Sequence, residues 1–389
     1  MHLSATGPGP RVLHVTQPVD GGVARVVTDL ARAQLADGWQ VSVACPRGPL
    51  AAGLRRLGAD VRHWDASRSP GAGLADEVRR LARLTADVRP ELVHAHSAKA
   101  GLAGRLAVRG RIPTVFQPHA WSFEAVDGTT ARLALRWERW GARWATRVVC
   151  VSEAERARGV RAGVAGRWRV IPNGVETQRF RPAAVDSVRA GLLPGTDPRA
   201  PLVVCVGRLC RQKGQDVLLA AWETVARRVP GARLVFVGDG PDRERLARSA
   251  PPSVLFAGAV ADTVPWYQAA DLVVLPSRWE GMALAPLEAM ACGRPVVVTD
   301  VGGARESLPS ALASRCLVPP DHPGVLAAAV TGLLVDPPLR ASLGHQGRGH
   351  VLDTHDVRHT ARAVTGLYRE LLGHRTAVSS TEYRESIHS

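Results

Sequence analysis

The stretch PSRWEGMALAPLEAMACGRPVVVTDVGGARE, residues 276–306, follows one apolar run, Leu272 to Leu275, and contains a second, Val296 to Thr299. Short continuous apolar runs of this kind read as parallel strands buried on both faces. Between them, Pro286 suits a first helical position, and Gly293 with Pro295 supplies a stop, so a short helix is expected from Pro286 to Cys292. The unit is strand, loop, helix, strand. Its loop, Glu280 to Leu284, offers backbone amides beside the positive end of a helix, the physical recipe for holding a phosphate.

Two carboxylates frame that loop, Glu280 ahead of it and Glu288 in the helix's first turn. Carboxylates repel a diphosphate, so a pair of them on either side suits the hydroxyls that flank one, the layout of a nucleotide sugar. The plain alternative has Glu288 answering the helix dipole and Glu280 solvated. Glu280-Gly281-Met282-Ala283-Leu284 with Glu288 resembles the donor-site signature of the GT4-type retaining glycosyltransferases. That resemblance implies Glu288 on the nucleotide ribose, Glu280 by the transferred sugar, and Gly281, Met282, Ala283 and Leu284 holding the diphosphate through their amides.

With 389 residues, of which 46% are hydrophobic, the chain is long enough for two domains. No apolar stretch reaches the 18 residues of a membrane span, and the start carries no secretory signal pattern. Six scattered cysteines fit neither a zinc site nor a disulfide framework, so a reducing cytoplasm is expected. The charge is strongly basic, 50 Lys plus Arg against 35 Asp plus Glu, which invites polyanions. Only Lys99 and Lys213 are lysines. Where arginine is written almost everywhere, a retained lysine suggests a need for a compact ammonium.

Strand and helix alternate from the start, the grammar of doubly wound parallel sheets. Strand Val12–Thr16 leads to Gly21-Gly22 and a helix from Val23 to Asp37; strand Val41–Ala44 and a helix from Leu74 to Val88 follow. The next strand ends in His94-Ala95-His96-Ser97, with Lys99 just beyond, and strand Thr114–Gln117 delivers His119. Ligands of α/β sheets gather at such strand ends. One of His94 and His96 is expected in the sheet's packing and the other in the cleft. Gly22 is placed by the diphosphate, and Gly21, His96 and Lys99 are acceptor-side candidates. After a Pro-bearing linker reaching Pro201, strand Leu202–Val206 opens a second domain and runs into Gly207-Arg208-Leu209-Cys210-Arg211-Gln212-Lys213-Gly214. No Walker loop and no D-x-D occurs.

The resemblance covers most of the chain. It implies the GT-B architecture, α/β throughout, with two Rossmann-like domains facing across a cleft: residues 1–185 on the acceptor side, residues 186–355 binding the donor, a helix over 356–375 returning to the first domain, and a disordered tail over 376–389. It further implies that Arg208 and Lys213 neutralise the donor diphosphate in place of a metal, that His119 meets the donor sugar, and that no cofactor is needed beyond the nucleoside diphosphate sugar. The expected reaction is hexosyl transfer with retention to a hydroxyl acceptor, in cell-envelope or extracellular polysaccharide or glycolipid synthesis, with UDP-sugars favoured and GDP-mannose next. A small secondary metabolite is the second acceptor considered. A nucleotide-sugar epimerase, a phosphorylase and a non-catalytic binder are the rival classes; no nucleic-acid reader motif accompanies the basic charge.

A helix expected over 130–147 aligns Arg132, Arg136, Arg139, Arg143 and Arg147 beside Leu133, Trp137, Trp140 and Trp144. From Asp76 to Arg169 the chain carries 18 Lys plus Arg against 9 Asp plus Glu. Two readings fit: a surface resting on anionic membrane at the inner face, or tryptophans packed on the sheet behind a solvated arginine face.

Overall fold

The computed structural model describes residues 9–193, 195 and 197–385. They form two compact units, one holding the described residues of 9–151, 155–171 and 358–385, the other those of 152–154 and 172–357.

In the first unit seven strands, β1 (Arg11–Thr16), β2 (Gln40–Cys45), β3 (Asp60–His63), β4 (Leu92–His96), β5 (Thr114–Gln117), β6 (Arg147–Cys150) and β7 (Trp168–Val170), form one sheet in the order β3-β2-β1-β4-β5-β6-β7. Every pairing is parallel. The order reverses between β1 and β4, the position where such sheets leave a crevice outside their strand ends. Leu13, Val15, Trp64, Leu81 and Val93 build one apolar core, and Phe116, Trp121, Val148 and Val164 a second.

The second unit repeats the plan with β8 (Leu202–Val206), β9 (Arg233–Val237), β10 (Val254–Gly258), β11 (Leu272–Leu275), β12 (Val296–Thr299) and β13 (Leu317–Val318). Their order is β10-β9-β8-β11-β12-β13, again all parallel, with the reversal between β8 and β11.

The boundary falls at Ile171, ahead of the expected position at residue 185. The Pro-bearing segment is not a free linker, because its polar groups are spent inside the second unit: Asn173 Nδ2 donates to Met282 O (2.7 Å), Thr177 Oγ1 to Asp356 (2.6 Å), and Val175 bridges to Asp356. The last helix, Val357–Glu385, rejoins the first unit from Arg358, with Tyr368 buried beside Trp39 and His94. It runs through most of the segment expected to be disordered, there being no Gly or Pro after Gly373 to stop it; residues 386–389 lie outside the described residues.

The arginine and tryptophan helix is shorter than expected, Gly128–Gly141, followed by a 3-10 turn over Ala142–Trp144. Arg147 instead opens β6 and pairs with Glu370 at 2.8 Å. Glu138 explains how the helix is held: it is fully buried, 2.7 Å from the equally buried Arg105, and accepts from Ser122 Oγ at 2.9 Å. The outer face leaves Leu133, Arg136, Arg139 and Trp140 exposed.

Candidate active site

The second unit gathers its expected residues where β8 and β11 part. From the end of β8, the chain turns through Gly207 and Arg208 to Lys213 and Gly214; from the end of β11 it delivers Ser277 to Glu280. Lys213 Nζ lies 2.5 Å from Glu280 Oε1, which also accepts from Ser277 Oγ at 2.8 Å. Arg278 locks the two loops together. Its guanidinium meets Asp216 with two bonds (2.9 and 2.8 Å) and Asp321 with one (2.7 Å), while its amide donates to Gln212 O. Close approach is possible because residue 214 is glycine: its φ is +64°, and a Cβ there would stand 2.1 Å from Pro276 O. Arg208 is half-buried, and its guanidinium has no partner among the described residues.

The helix behind the loop is Leu284–Ala291, two residues ahead of its expected start, so Pro286 sits in the third position of the first turn, where the missing amide hydrogen still costs nothing. No side chain caps it. The carbonyls of Gly281 and Met282 are tied back, to Gly303 N (2.6 Å) and Asn173 Nδ2 (2.7 Å). A trans peptide sets its N–H opposite its carbonyl, so the amides of Met282 and Ala283 point away from those anchors, beside the positive helix end. That geometry is suited to a diphosphate. It depends on the turn at Gly302, where φ is +52° and a Cβ would stand 1.8 Å from Glu280 O.

Glu288 is the helix's fifth residue, beyond the first turn, which removes the dipole account of it. It is buried, 7% exposed, and its Oε2 accepts from Tyr267 Oη at 2.7 Å. A buried carboxylate with one oxygen oriented by a phenol is arranged to accept from hydroxyls.

In the first unit, Gly21 and Gly22 are exposed at the start of the helix Gly21–Ala36, beyond the end of β1. His119 is half-buried after β5, in left-handed backbone: φ is +55°, and +93° at Ala120. Glu155 holds this strained turn, its carboxylate accepting from Ala120 N (2.6 Å) and Val151 N (2.8 Å). Burial pushes the Glu155 carboxyl up to about 7, the two amides opposing it.

The histidines divide differently from expectation. Residues two apart on a strand share a face, and His94 and His96 are both fully buried with ring centroids 3.9 Å apart. His14 joins them from β1, its Nδ1 3.0 Å from His96 Nε2 and its Nε2 2.8 Å from Gln34 Oε1. His96 Nδ1 then lies 3.2 Å from His119 Nε2, and His94 Nδ1 lies 2.5 Å from Tyr368 Oη. Burial lowers all four imidazoles below their ordinary range, His14 to about 4 and His119 to about 3. The nitrogens of His14, His94 and His96 are close enough to consider a metal. Both ring nitrogens of His14 and of His96, and Nδ1 of His94, however, already lie at hydrogen-bond distance from Gln34, from one another, from His119 or from Tyr368, so the short contacts are those of hydrogen bonds. His96 therefore stands behind His119 rather than facing an acceptor. Lys99 is also withdrawn: it is buried against Glu77 at 2.5 Å and donates to Ser67 Oγ and Ser69 O, fastening the segment before the helix Leu74–Val88.

Gln34, His14, Glu155, Tyr267 and Tyr368 were not anticipated. Only His14 left a trace, as a polar residue inside an otherwise apolar strand; the others meet partners 20 to 274 residues away.

Two parallel Rossmann-like sheets, with cation, carboxylate and helix-end amides at one switch point, are the architecture of the GT-B class. Residues 20–179 match the family model described as Glycosyltransferase Family 4, and residues 200–336 that described as Glycosyl transferases group 1. The chain is 31% identical to alpha-maltose-1-phosphate synthase of Mycolicibacterium smegmatis, covering 91% of this chain and 96% of that protein. It is 34% identical to the GDP-mannose-dependent alpha-(1-6)-phosphatidylinositol monomannoside mannosyltransferase of Mycobacterium tuberculosis, covering 84% and 86%. A match at 33% identity to the lipopolysaccharide core biosynthesis mannosyltransferase of Rhizobium meliloti spans 52% of this chain and 61% of that protein. Among solved structures, sucrose-phosphate synthase of Thermosynechococcus elongatus superposes with a TM-score of 0.79 at 25% identity, over 94% of this chain and 99% of that one. The chain belongs to the GT4 glycosyltransferase family and is a glycosyltransferase.

Proposed function

We propose that the protein transfers a hexosyl unit, with retention and without a metal, from a nucleoside diphosphate sugar to a hydroxyl of an envelope glycan or glycolipid precursor. The observation that carries this reading is the second unit's switch point, where the loop carrying Arg208 and Lys213 meets the next strand's loop through the Lys213–Glu280 pair, ahead of the Met282 and Ala283 amides and the helix that bears Glu288. Departure of the diphosphate develops negative charge, and preorganised cations and amides stabilise charge where it forms. Glu280 positions sugar hydroxyls and Glu288 the ribose, and the family resemblance assigns His119 to the sugar. Among the described residues Glu280 is held by Lys213 and Ser277 with no second carboxylate in contact with it, which favours a leaving diphosphate that itself takes the acceptor's proton on the same face.

The named donor of the Mycobacterium tuberculosis relative raises GDP-mannose above the UDP-sugars first favoured from the sequence. Thermal unfolding in chelator with UDP, GDP, ADP or dTDP tests both points. A ligand at about 100 times its dissociation constant stabilises by roughly 2.7 kcal/mol. GDP alone should raise the midpoint, and Glu288→Ala should abolish the shift; no shift with any of the four refutes the donor site.

The exposed face of the helix Gly128–Gly141 fits an acceptor held in lipid. Arg132, Arg136 and Arg139 surround Leu133 (64% exposed) and Trp140 (44%), and Arg143 stacks on Trp140 at 4.6 Å. Cations with a tryptophan at their centre suit an anionic headgroup layer. No single helix among the described residues is long and apolar enough to cross a membrane. Co-sedimentation with phosphatidylglycerol vesicles should require Arg136 and Trp140; equal sedimentation with pure phosphatidylcholine removes this part of the reading.

A further inference from the structure

Four groups in the first unit stand in a line of hydrogen bonds: Gln34 Oε1 to His14 Nε2 (2.8 Å), His14 Nδ1 to His96 Nε2 (3.0 Å), and His96 Nδ1 to His119 Nε2 (3.2 Å). The three buried members, Gln34, His14 and His96, have no exposed surface. We propose that Gln34, through His14 and His96, fixes the tautomer of His119, so that His119 keeps Nδ1 unprotonated and offers it as a hydrogen-bond acceptor.

The polarity follows from the donor inventory of neutral imidazole, one N–H and one lone pair per ring. A carbonyl oxygen only accepts, so His14 carries its proton on Nε2 and turns a lone pair, Nδ1, toward His96. His96 must then donate from Nε2, which leaves its own Nδ1 as an acceptor. His119 must donate to that acceptor from Nε2. Its Nδ1 is therefore a lone pair, and it has no hydrogen-bond partner among the described residues. Burial keeps the rings neutral, which the rule requires.

The orientation of Gln34 is the decision point, because an amide turned end for end would reverse every proton in the line. In the structure the Gln34 oxygen faces His14 Nε2 at 2.8 Å and its nitrogen is buried with no hydrogen-bond partner among the described residues, so the tautomer of the wild-type His119 reads the orientation directly. His14, His96 and Gln34 are positioning residues. The consequence for transfer rests on the reading of His119 as a contact of the sugar: a lone pair accepts from a sugar hydroxyl and tolerates positive charge on the ring carbon, whereas an N–H there does neither.

Two-bond proton–nitrogen correlation spectra of the full chain, labelled with 15N-histidine, report each tautomer, and the His119 signal is assigned by its loss in His119→Asn. The expected result is a single Nε2-protonated His119 at pH 7.5. Gln34→Met, which removes the terminal acceptor at similar volume, should shift His119 toward the Nδ1-protonated form and lower kcat about tenfold with little change in donor KM. A wild-type His119 protonated on Nδ1, an unchanged tautomer in folded Gln34→Met, or zinc bound by His14, His94 and His96 each overturns the proposal. If Gln34→Met does not fold, the wild-type spectrum decides alone. A tautomer that shifts while turnover stays constant supports the line and refutes the sugar contact of His119.

Discussion

Glu280 is set between two demands that one substitution separates. In the free protein its carboxylate is 11% exposed, 2.5 Å from Lys213 Nζ, with Ser277 on the same oxygen. If Lys213 serves the diphosphate, Glu280 competes for that ammonium and also repels the phosphates. A negative charge about 8 Å from another, at an effective dielectric of 20, costs roughly 2 kcal/mol, and solvent near the opening reduces this toward about 1. Glu280→Gln keeps the shape and the bond to Ser277 while removing the charge. It should therefore tighten binding of the bare nucleoside diphosphate by roughly 5- to 30-fold. Transfer should fall about 100-fold or more, since the carboxylate no longer orients sugar hydroxyls in the transition state. Calorimetric titration with GDP and UDP, paired with turnover at saturating donor, reads both. Weaker diphosphate binding would make Glu280 a prop for its loop, and an undiminished rate would remove it from the site; either outcome refutes the reasoning.

Tyr267→Phe should weaken nucleoside diphosphate binding about 3- to 10-fold by removing the phenol that orients one Glu288 oxygen, without changing kcat; titration against Glu288→Ala in the same assay checks this. The four imidazoles have depressed values in the fold, so the unfolded chain binds more protons below the ordinary value of about 6.5. Their contribution to the first unit's stability is complete above that pH and is lost as pH falls toward about 4, the His14 share being on the order of 3 kcal/mol. Urea unfolding at pH 7.5 and 4.5 should show that loss, and His14→Phe should show a smaller one. Arg105→Met, which strands the buried Glu138, should cost about 3–5 kcal/mol, while Arg136→Gln on the exposed face should leave the midpoint unchanged.

The strands were readable because apolar runs such as Leu272–Leu275 and Thr114–Gln117 end where the sheet ends, and the donor loop was readable because Glu280 to Glu288 is one local segment. Helix ends were less so. Leu284 and Ala285 carry no start signal, and Gly141 breaks the arginine helix at a position where a plain 100° periodicity runs on. Contacts between distant segments left nothing local to read: the Tyr267 hydroxyl and Glu288, Glu155 and the Ala120 amide, Tyr368 and His94. His94 and His96 share a face because side chains two apart on a strand do, so both enter the core together.

The two lysines show why residue type and place are separate questions. Each was singled out as a compact ammonium in a chain of arginines, and each lies 2.5 Å from a glutamate. Lys99 donates as well to Ser67 and Ser69 at only 4% exposure, so three donors on one atom suit a space without room for a planar guanidinium. It has no face left for a ligand. Lys213 has the same chemistry, but it stands in the loop at the carboxyl end of β8 with Arg208, whose guanidinium has no partner among the described residues, and its glutamate comes from the neighbouring strand's loop. An ion pair at that position can be exchanged for a phosphate without unpacking a core. Chemistry alone therefore selects both lysines, and only the place where β8 and β11 part selects the one that can meet a substrate.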